Sequence, residues 1–132
     1  KDKSIDFIVS VPTTSPLRKI SDIDNCIERA IKKDLDMVFS VTKASKNPYF
    51  NIVQFKNKKL SLVCSSKKSI SRRQDAPSCF DLTTVCYVFK PEYIMKQKNL
   101  FSGKTGFVVI PKHRAIDIDD EIDYKIANFL SH

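Results

Sequence analysis

The sequence predicts an α/β protein, in which a doubly wound, largely parallel sheet carries an antiparallel excursion. Buried-type strands flank an amphipathic helix within the first forty residues, and this alternation resumes after residue 84. Two short strand patterns around a polar turn predict the excursion. With 132 residues, of which 42% are hydrophobic, the chain is sized for a single domain, 1–132.

The first strand, helix and strand predict a parallel crossover. Ile5–Val11 is apolar nearly throughout, which predicts a strand buried on both faces, and Pro12 ends it. Ser21 is the predicted N-cap of the helix, and Met37–Val41 is the predicted second strand. The predicted inward stripe of the helix is Ile23, Ile27, Ala30 and Ile31, and its closing cations are Lys32 and Lys33.

The middle of the chain predicts a hairpin, formed by Tyr49–Phe55 and Leu60–Cys64 around a turn at residues 56–59. A strand of the parallel type is predicted at Val85–Phe89, followed by a helix with Pro91 in its first position. A further strand is predicted at Phe107–Ile110. The last helix is predicted to start near Asp119 or Asp120 and to turn inward Ile122, Ile126, Phe129 and Leu130.

Composition excludes several classes of protein. The chain has only 2 Gly, so no Gly-rich phosphate loop can be written. No apolar run approaches the roughly 20 residues of a membrane helix, so we expect no membrane partner. The 4 Cys include no CxxC pair and are accompanied by only 2 His, which argues against structural zinc. Every cysteine except Cys79 has apolar neighbours, which predicts reduced thiols in a cytoplasmic protein; disulfides are the alternative.

The formal net charge of +8 is unevenly distributed along the chain. Residues 37–74 contain no acid and nine cations, which predict either an anion-binding segment or a solvated hairpin. These cations are Lys43, Lys46, Lys56, Lys58, Lys59, Lys67, Lys68, Arg72 and Arg73. Near the C-terminus, acids crowd between residues 117 and 123. A nucleoside triphosphate with bound Mg²⁺ would satisfy both charge clusters.

Two segments follow predicted strands, where open α/β sheets bind ligands. Thr14, Ser15 and Arg18 follow the first strand, and their hydroxyl and guanidinium groups suit a phosphate or a sugar; the alternative is a turn that satisfies only its own backbone. Asp117 and Asp119 lie two residues apart, so an extended backbone projects both carboxylates to one side, as Mg²⁺ requires. The alternative is that these acids all serve the following helix.

A third segment, Ser71–Pro77, places Arg73 beside the amide side chain of Gln74. Paired arginines next to an amide suit bidentate recognition of a carboxylate or a phosphate. The alternative is a solvated loop.

Taken in order, three motifs resemble the acylneuraminate cytidylyltransferase (CMP-sialic acid synthetase) family. They are ThrSerProLeuArg at 14–18, ArgArgGlnAspAlaPro at 72–77, and AspIleAsp followed by AspGluIleAsp at 117–123. The resemblance implies a three-layer, Rossmann-like nucleotide-diphospho-sugar transferase fold. It also implies the Mg²⁺-dependent reaction of CTP with a nonulosonic acid to give a CMP-sugar and pyrophosphate, in which the anomeric hydroxyl attacks the α-phosphate.

The same resemblance implies roles for individual residues. Asp117 and Asp119 match the metal-binding aspartates of the family, Arg73 matches the arginine that holds the sugar carboxylate, and Tyr87 matches a tyrosine of the sugar pocket. The excursion, residues 43–80, resembles the segment used for dimerisation and sugar binding, which implies a homodimer.

Departures from the family pattern leave the identity of the sugar acid open. Pro12 stands where the family often has Gln, and Thr83-Thr84 replaces an Asn-Gly pair at the sugar loop. The N-terminal strand and nucleotide loop of the family have no counterpart in the sequence, which predicts a C-terminal portion of the domain with little or no turnover alone. The alternative function is a non-catalytic basic module for an acidic partner such as nucleic acid.

Overall fold

A four-stranded sheet organises the first of two units into which the chain divides, in a computed structural model that describes residues 4–66, 70–96 and 99–132. This unit comprises the chain up to Thr42 together with Leu82–His132, and the second unit is Lys43–Asp81. The helices and the mixed sheet confirm an α/β fold consistent with a partial Rossmann-like architecture. The elements are β1 (Ile8–Ser10), α1 (Ile20–Lys33), β2 (Met37–Lys43), β3 (Val53–Lys56), β4 (Lys59–Leu62), β5 (Phe80–Phe89), α2 (Pro91–Lys96), β6 (Thr105–Val109) and α3 (Glu121–Leu130).

The strand order of the sheet is β1-β5-β2-β6. β6 runs parallel to β2, whereas β1 runs antiparallel to β5. The N–H of Lys90 donates to the carbonyl of Asp36 over 3.0 Å, which places the end of β5 beside the start of β2, so these two strands are antiparallel. The prediction of a parallel strand at Val85–Phe89 is therefore wrong. After β2 the chain re-enters the sheet at the same end at which β2 stopped. β5 therefore runs in the direction opposite to β2.

Two apolar clusters lie on opposite faces of β2, because alternate side chains of a strand point to opposite sides. Val38 packs with Cys26 and Ala30 of α1. Met37, Phe39 and Val41 pack with Tyr93 of α2 on the other face. The first unit therefore has helices on both faces of its sheet.

The Ser40 hydroxyl joins β2 to β5 inside the sheet. It donates to the carbonyl of Thr83 (3.1 Å) and accepts from the Thr83 hydroxyl (2.7 Å) and the Cys86 N–H (3.0 Å). One donor and two acceptor positions are all a hydroxyl offers, so Ser40 is fully satisfied although it is completely buried.

Three sequence predictions about exposure and helix ends are wrong. β1 is an edge strand limited to Ile8–Ser10, and Ile8 is 40% exposed rather than buried on both faces. On α3 the predicted inward side chains are exposed, with Phe129 at 80%, and Ala127 is the buried residue instead. α1 begins at Ile20, and Lys19 rather than Ser21 is its N-cap. No helix within the described ranges is both long and apolar enough to cross a bilayer.

The second unit is built around a hairpin and one asparagine. β3 and β4 pair antiparallel as predicted, and Asn57 and Lys58 at their turn have φ of 53° and 59°. Asn47, which the sequence did not single out, is buried; its side-chain amide donates to the carbonyl of Pro77 over 2.8 Å and its side-chain oxygen accepts from the Tyr49 N–H over 2.9 Å. Asn47 therefore holds together the two ends of the segment that contains the hairpin.

Candidate functional site

Two loops from opposite edges of the sheet meet at the candidate site. The turn around Thr14 follows β1 and the segment containing Asp117 follows β6, and these are the two outer strands of the sheet. The N–H of Ile118 donates to the carbonyl of Thr14 over 2.9 Å. Since β1 and β6 run in the same direction, both loops leave the carboxyl ends of their strands, where open α/β sheets bind ligands.

The Thr14 turn is held by its own polar groups. Arg18 Nε donates to the carbonyl of Ser15 over 2.7 Å, and Arg18 Nη2 donates to the carbonyl of Pro12. The hydroxyl of Ser15, which is completely buried, bonds to the hydroxyl of Thr84 over 2.6 Å. Arg18 and Ser15 therefore support the turn, whereas the Thr14 side chain is exposed and available to a ligand.

An ion pair between Asp22 and Arg114 joins the start of α1 to the turn that follows β6. Arg114 Nη2 lies 2.8 Å from Asp22 Oδ1, and Arg114 Nε lies 3.0 Å from Asp22 Oδ2, so the contact is bidentate. Asp22 is 2% exposed, and its Oδ2 also accepts from the N–H of Lys19. Burial opposes ionisation of the carboxyl, but the hydrogen bonds from Arg114 and Lys19 outweigh it and lower the pKa of Asp22.

Asp117 carries an unusual group, because its Oδ1 is buried and no described residue donates a hydrogen bond to it. A buried carboxylate oxygen without a partner is costly, and a bound cation or a ligand donor would remove that cost. Burial, and then the negative charge of Asp117, raise the pKa of the half-buried Tyr87 hydroxyl, which therefore stays protonated at neutral pH. Asp119 is exposed.

Asp120 and Asp123 form a capping box at the start of α3. Asp120 caps α3 by accepting from the N–H groups of Ile122 (2.8 Å) and Asp123 (3.0 Å). The Asp123 carboxylate accepts in return from the N–H groups of Asp119 and Asp120. The predicted start of the last helix is thus confirmed. Asp117 and the side chain of Asp119 take no part in this capping box.

A metal site here would need ligands from outside the protein. Among the residues that the structure describes, no three His, Cys, Asp or Glu side chains gather closely enough to hold an ion. Asp117 and Asp119 supply two carboxylates, which is the usual protein contribution to a Mg²⁺ that is otherwise bound by water and phosphate oxygens. The donor set therefore fits a metal that arrives with a nucleotide, and not a resident all-protein site.

The second unit contains a separate basic cavity of about 560 Å³. Lys43, Lys46 and Arg73 line it, together with the amide-bearing side chains of Asn47 and Gln74. Arg73 Nη2 donates to the carbonyl of Ser45 over 2.5 Å, which fixes the guanidinium in the cavity wall. Of the predicted basic stretch, Lys67 and Lys68 lie outside the described residues.

The structure places one sequence-predicted ligand, Thr83, inside the sheet. Thr83 is buried, and its hydroxyl donates its hydrogen to Ser40 inside the sheet. The hydroxyl of the neighbouring Thr84 bonds to the hydroxyl of Ser15 in the Thr14 turn. The sequence analysis did not single out Arg114 or its buried partner Asp22. A carboxylate in the first turn and an arginine before the acids were the available signals.

Three relatives with informative names match the chain. It is 30% identical over 125 residues to post-translational flagellin modification protein B of Campylobacter coli, which covers 95% of the chain and 52% of that protein. It is 38% identical over 93 residues to CMP-N,N'-diacetyllegionaminic acid synthase of Campylobacter jejuni, covering 70% of the chain and 39% of the relative. It is 26% identical over 117 residues to an N-acylneuraminate cytidylyltransferase of Streptococcus agalactiae, covering 88% of the chain and 28% of the relative.

The chain spans about half the length, or less, of these relatives. No profile of a known protein family matches it.

The Asp22 ion pair makes stability depend on acid pH. Because the folded-state pKa of Asp22 lies below its unfolded value of about 4, the pair stabilises the fold above that pH, and the gain is lost as pH falls through the folded-state pKa. Asp22→Asn should lower the free energy of unfolding by about 3 kcal/mol at pH 7. Urea unfolding at pH 7 and pH 3 should show the gap to wild type narrowing at pH 3. The exposed Asp24→Asn is the control, and an equal gap at both pH values would contradict this assignment.

Proposed function

We propose that this chain, which belongs to the acylneuraminate cytidylyltransferase family, takes part in transferring a cytidylyl group from CTP to a nonulosonic acid. The observation that carries the proposal is the buried Oδ1 of Asp117, to which no described residue donates a hydrogen bond, in a segment tied to the Thr14 turn. The relatives named CMP-N,N'-diacetyllegionaminic acid synthase and N-acylneuraminate cytidylyltransferase support the reaction class.

In this proposal Asp117 and Asp119 hold Mg²⁺ together with the phosphates of CTP. The metal, when bound, neutralises negative charge on the phosphates and so favours attack at the α-phosphate. The Thr14 turn, fixed by Arg18 and Ser15, positions the exposed Thr14 for a polar group of a substrate. Catalysis by these residues is positioning and electrostatic complementarity, with no covalent bond between protein and substrate.

The basic cavity of the second unit is the proposed site for the carboxylate of the sugar acid. Three cations line it, and Arg73 is the one with a fixed guanidinium, which suits bidentate contact with a carboxylate. The amide group of Gln74 adds a donor for a sugar hydroxyl or acyl oxygen. This arrangement fits more than one sugar acid, so the proposed substrate is a nonulosonic acid of unspecified identity.

The hairpin of the second unit supports a homodimer. Val53 pairs with Leu62 and Phe55 pairs with Leu60, so four apolar side chains share one face, and Phe55 is 74% exposed. An exposed apolar face of this kind is typical of an interface. Sedimentation at micromolar concentration should give twice the 15.1 kDa of the chain, and a lone monomer would contradict the proposal.

Turnover is proposed to need a polypeptide segment that this chain does not contain. β1 is an edge strand whose apolar side chains are exposed, and the apolar face of α3 is likewise uncovered by the described part of the chain. Both surfaces are suited to packing against further protein. The test is a chimera in which the N-terminal half of the Campylobacter coli relative precedes the chain.

A binding module for an acidic polymer is the competing function, and the three cations of the second-unit cavity favour it. Calorimetry on the chimera separates the two. Binding of CTP that requires Mg²⁺ supports the transferase. Salt-sensitive binding of a random oligonucleotide, without binding of CTP and Mg²⁺, would replace it with the module.

Asp117→Asn in the chimera should reduce kcat by at least about 100-fold, equivalent to ~2.7 kcal/mol at the transition state, because one of two metal-binding carboxylates is lost. The fold should persist, since no described residue bonds to the Asp117 Oδ1. Pyrophosphate release measures the rate. Asp24→Asn is the matched control, and near-normal activity in Asp117→Asn would end the metal assignment.

Arg73→Ala in the chimera should raise KM for the sugar acid by about tenfold or more, because a hydrogen-bonded ion pair to a carboxylate is removed. KM for CTP should stay within about twofold. Arg72→Ala removes a neighbouring cation that does not line the cavity, and it serves as the control. A rise in KM for CTP alone would show that this loop belongs to the other substrate.

A further inference from the structure

The segment that carries Asp117 and Asp119 is anchored at three points. At its start Arg114 is fixed by two hydrogen bonds to Asp22. In its middle the N–H of Ile118 bonds to the Thr14 carbonyl. At its end the carboxylate of Asp123 holds the N–H groups of Asp119 and Asp120. Only the first of these anchors depends on a side chain at each end.

Asp22 is shared by both loops of the candidate site. The carboxylate that receives Arg114 also accepts from the N–H of Lys19, which ends the loop containing Thr14. The two loops follow β1 and β6, which are separated in the sheet by β5 and β2. One buried carboxylate therefore links loops that the sheet itself keeps apart.

We infer that Arg114, through its bidentate contact with Asp22, is the positioning residue that sets the Asp117–Asp119 segment against the Thr14 turn. This inference deepens the proposed function and rests on it, because Asp117 and Asp119 are metal ligands in that proposal. A guanidinium fork fixes direction as well as distance, which a lysine ammonium does not. A buried ion pair adds little net stability over an apolar replacement, so a gain in orientation accounts for it better than a gain in stability.

The first test measures the position of the segment without any ligand. In Arg114→Met, exchange of the Ile118 amide hydrogen should accelerate at least tenfold, while the Ile110 amide, which bonds to Val41 in the sheet, keeps its protection. Arg114→Lys should fall between wild type and Arg114→Met. Lys125→Met, which removes an exposed cation of α3, should leave both amides unchanged. Unchanged exchange at Ile118 in Arg114→Met would overturn the inference.

The second test measures binding in the chimera described above, with Mn²⁺ and CTP as the probe and electron paramagnetic resonance of free Mn²⁺ as the readout. Arg114→Met should weaken Mn²⁺ affinity in the presence of CTP at least tenfold, and Arg114→Lys should restore part of it. Equal affinity in wild type and Arg114→Met would overturn the inference. If the wild-type chimera binds no Mn²⁺ with CTP, the proposed function fails, and the exchange of Ile118 still decides the positioning role.

Loss of protection at both Ile118 and Ile110 in Arg114→Met would mean general unfolding. Arg114→Lys then decides, because it keeps the charge beside Asp22 and loses only the fork. Faster exchange confined to Ile118 in that variant supports the inference, and wild-type exchange at Ile118 overturns it.

Discussion

The candidate site depends on the hydrogen bonds that the carboxylate of Asp22 accepts. This carboxylate lies in the first turn of α1, is almost completely buried, and receives hydrogen bonds from the backbone of Lys19 and from the guanidinium of Arg114. A helix start is a favourable place for a negative charge, and a fully hydrogen-bonded carboxylate there tolerates burial. The first strand's loop and the last strand's loop are therefore joined through one side chain, and a direct backbone bond between Thr14 and Ile118 completes the contact.

This arrangement separates support from ligand binding among polar residues that look equivalent in the sequence. The hydroxyls of Ser15 and Thr83 form hydrogen bonds inside the first unit, and two nitrogens of Arg18 donate to backbone carbonyls. Thr14 remains exposed, and Asp117 retains a carboxylate oxygen with no donor among the described residues. Buried polar groups are normally satisfied, so the unsatisfied atom is the more informative one. It belongs to one of the two aspartates for which the sequence predicts binding of Mg²⁺.

How far the sequence predicted the structure depends on how local each signal is. The start of α3 was predictable because Asp120 and Asp123 form a capping box within four residues. The β3–β4 hairpin was predictable from a short polar turn. The direction of β5 was not, since an apolar run looks the same in either orientation and only the long-range pairing with β1 and β2 decides it. The contact of Asp22 with Arg114 joins residues 92 apart, and no local pattern encodes it.

The errors about burial have one physical source. Apolar periodicity in β1 and α3 predicts surfaces that must be covered, and it does not say what covers them. In the described part of the chain these surfaces stay exposed, with Ile8 at the sheet edge and Phe129 on the last helix. An apolar edge strand that stays exposed to water favours aggregation, because its unpaired backbone groups can pair with other strands. An apolar pattern therefore predicts that a surface is suited to burial, and it does not predict which part of the protein buries it. The loops at the carboxyl ends of β1 and β6 are tied directly to each other through Asp22 and Arg114, so their relative position does not depend on a cover over the exposed apolar surfaces.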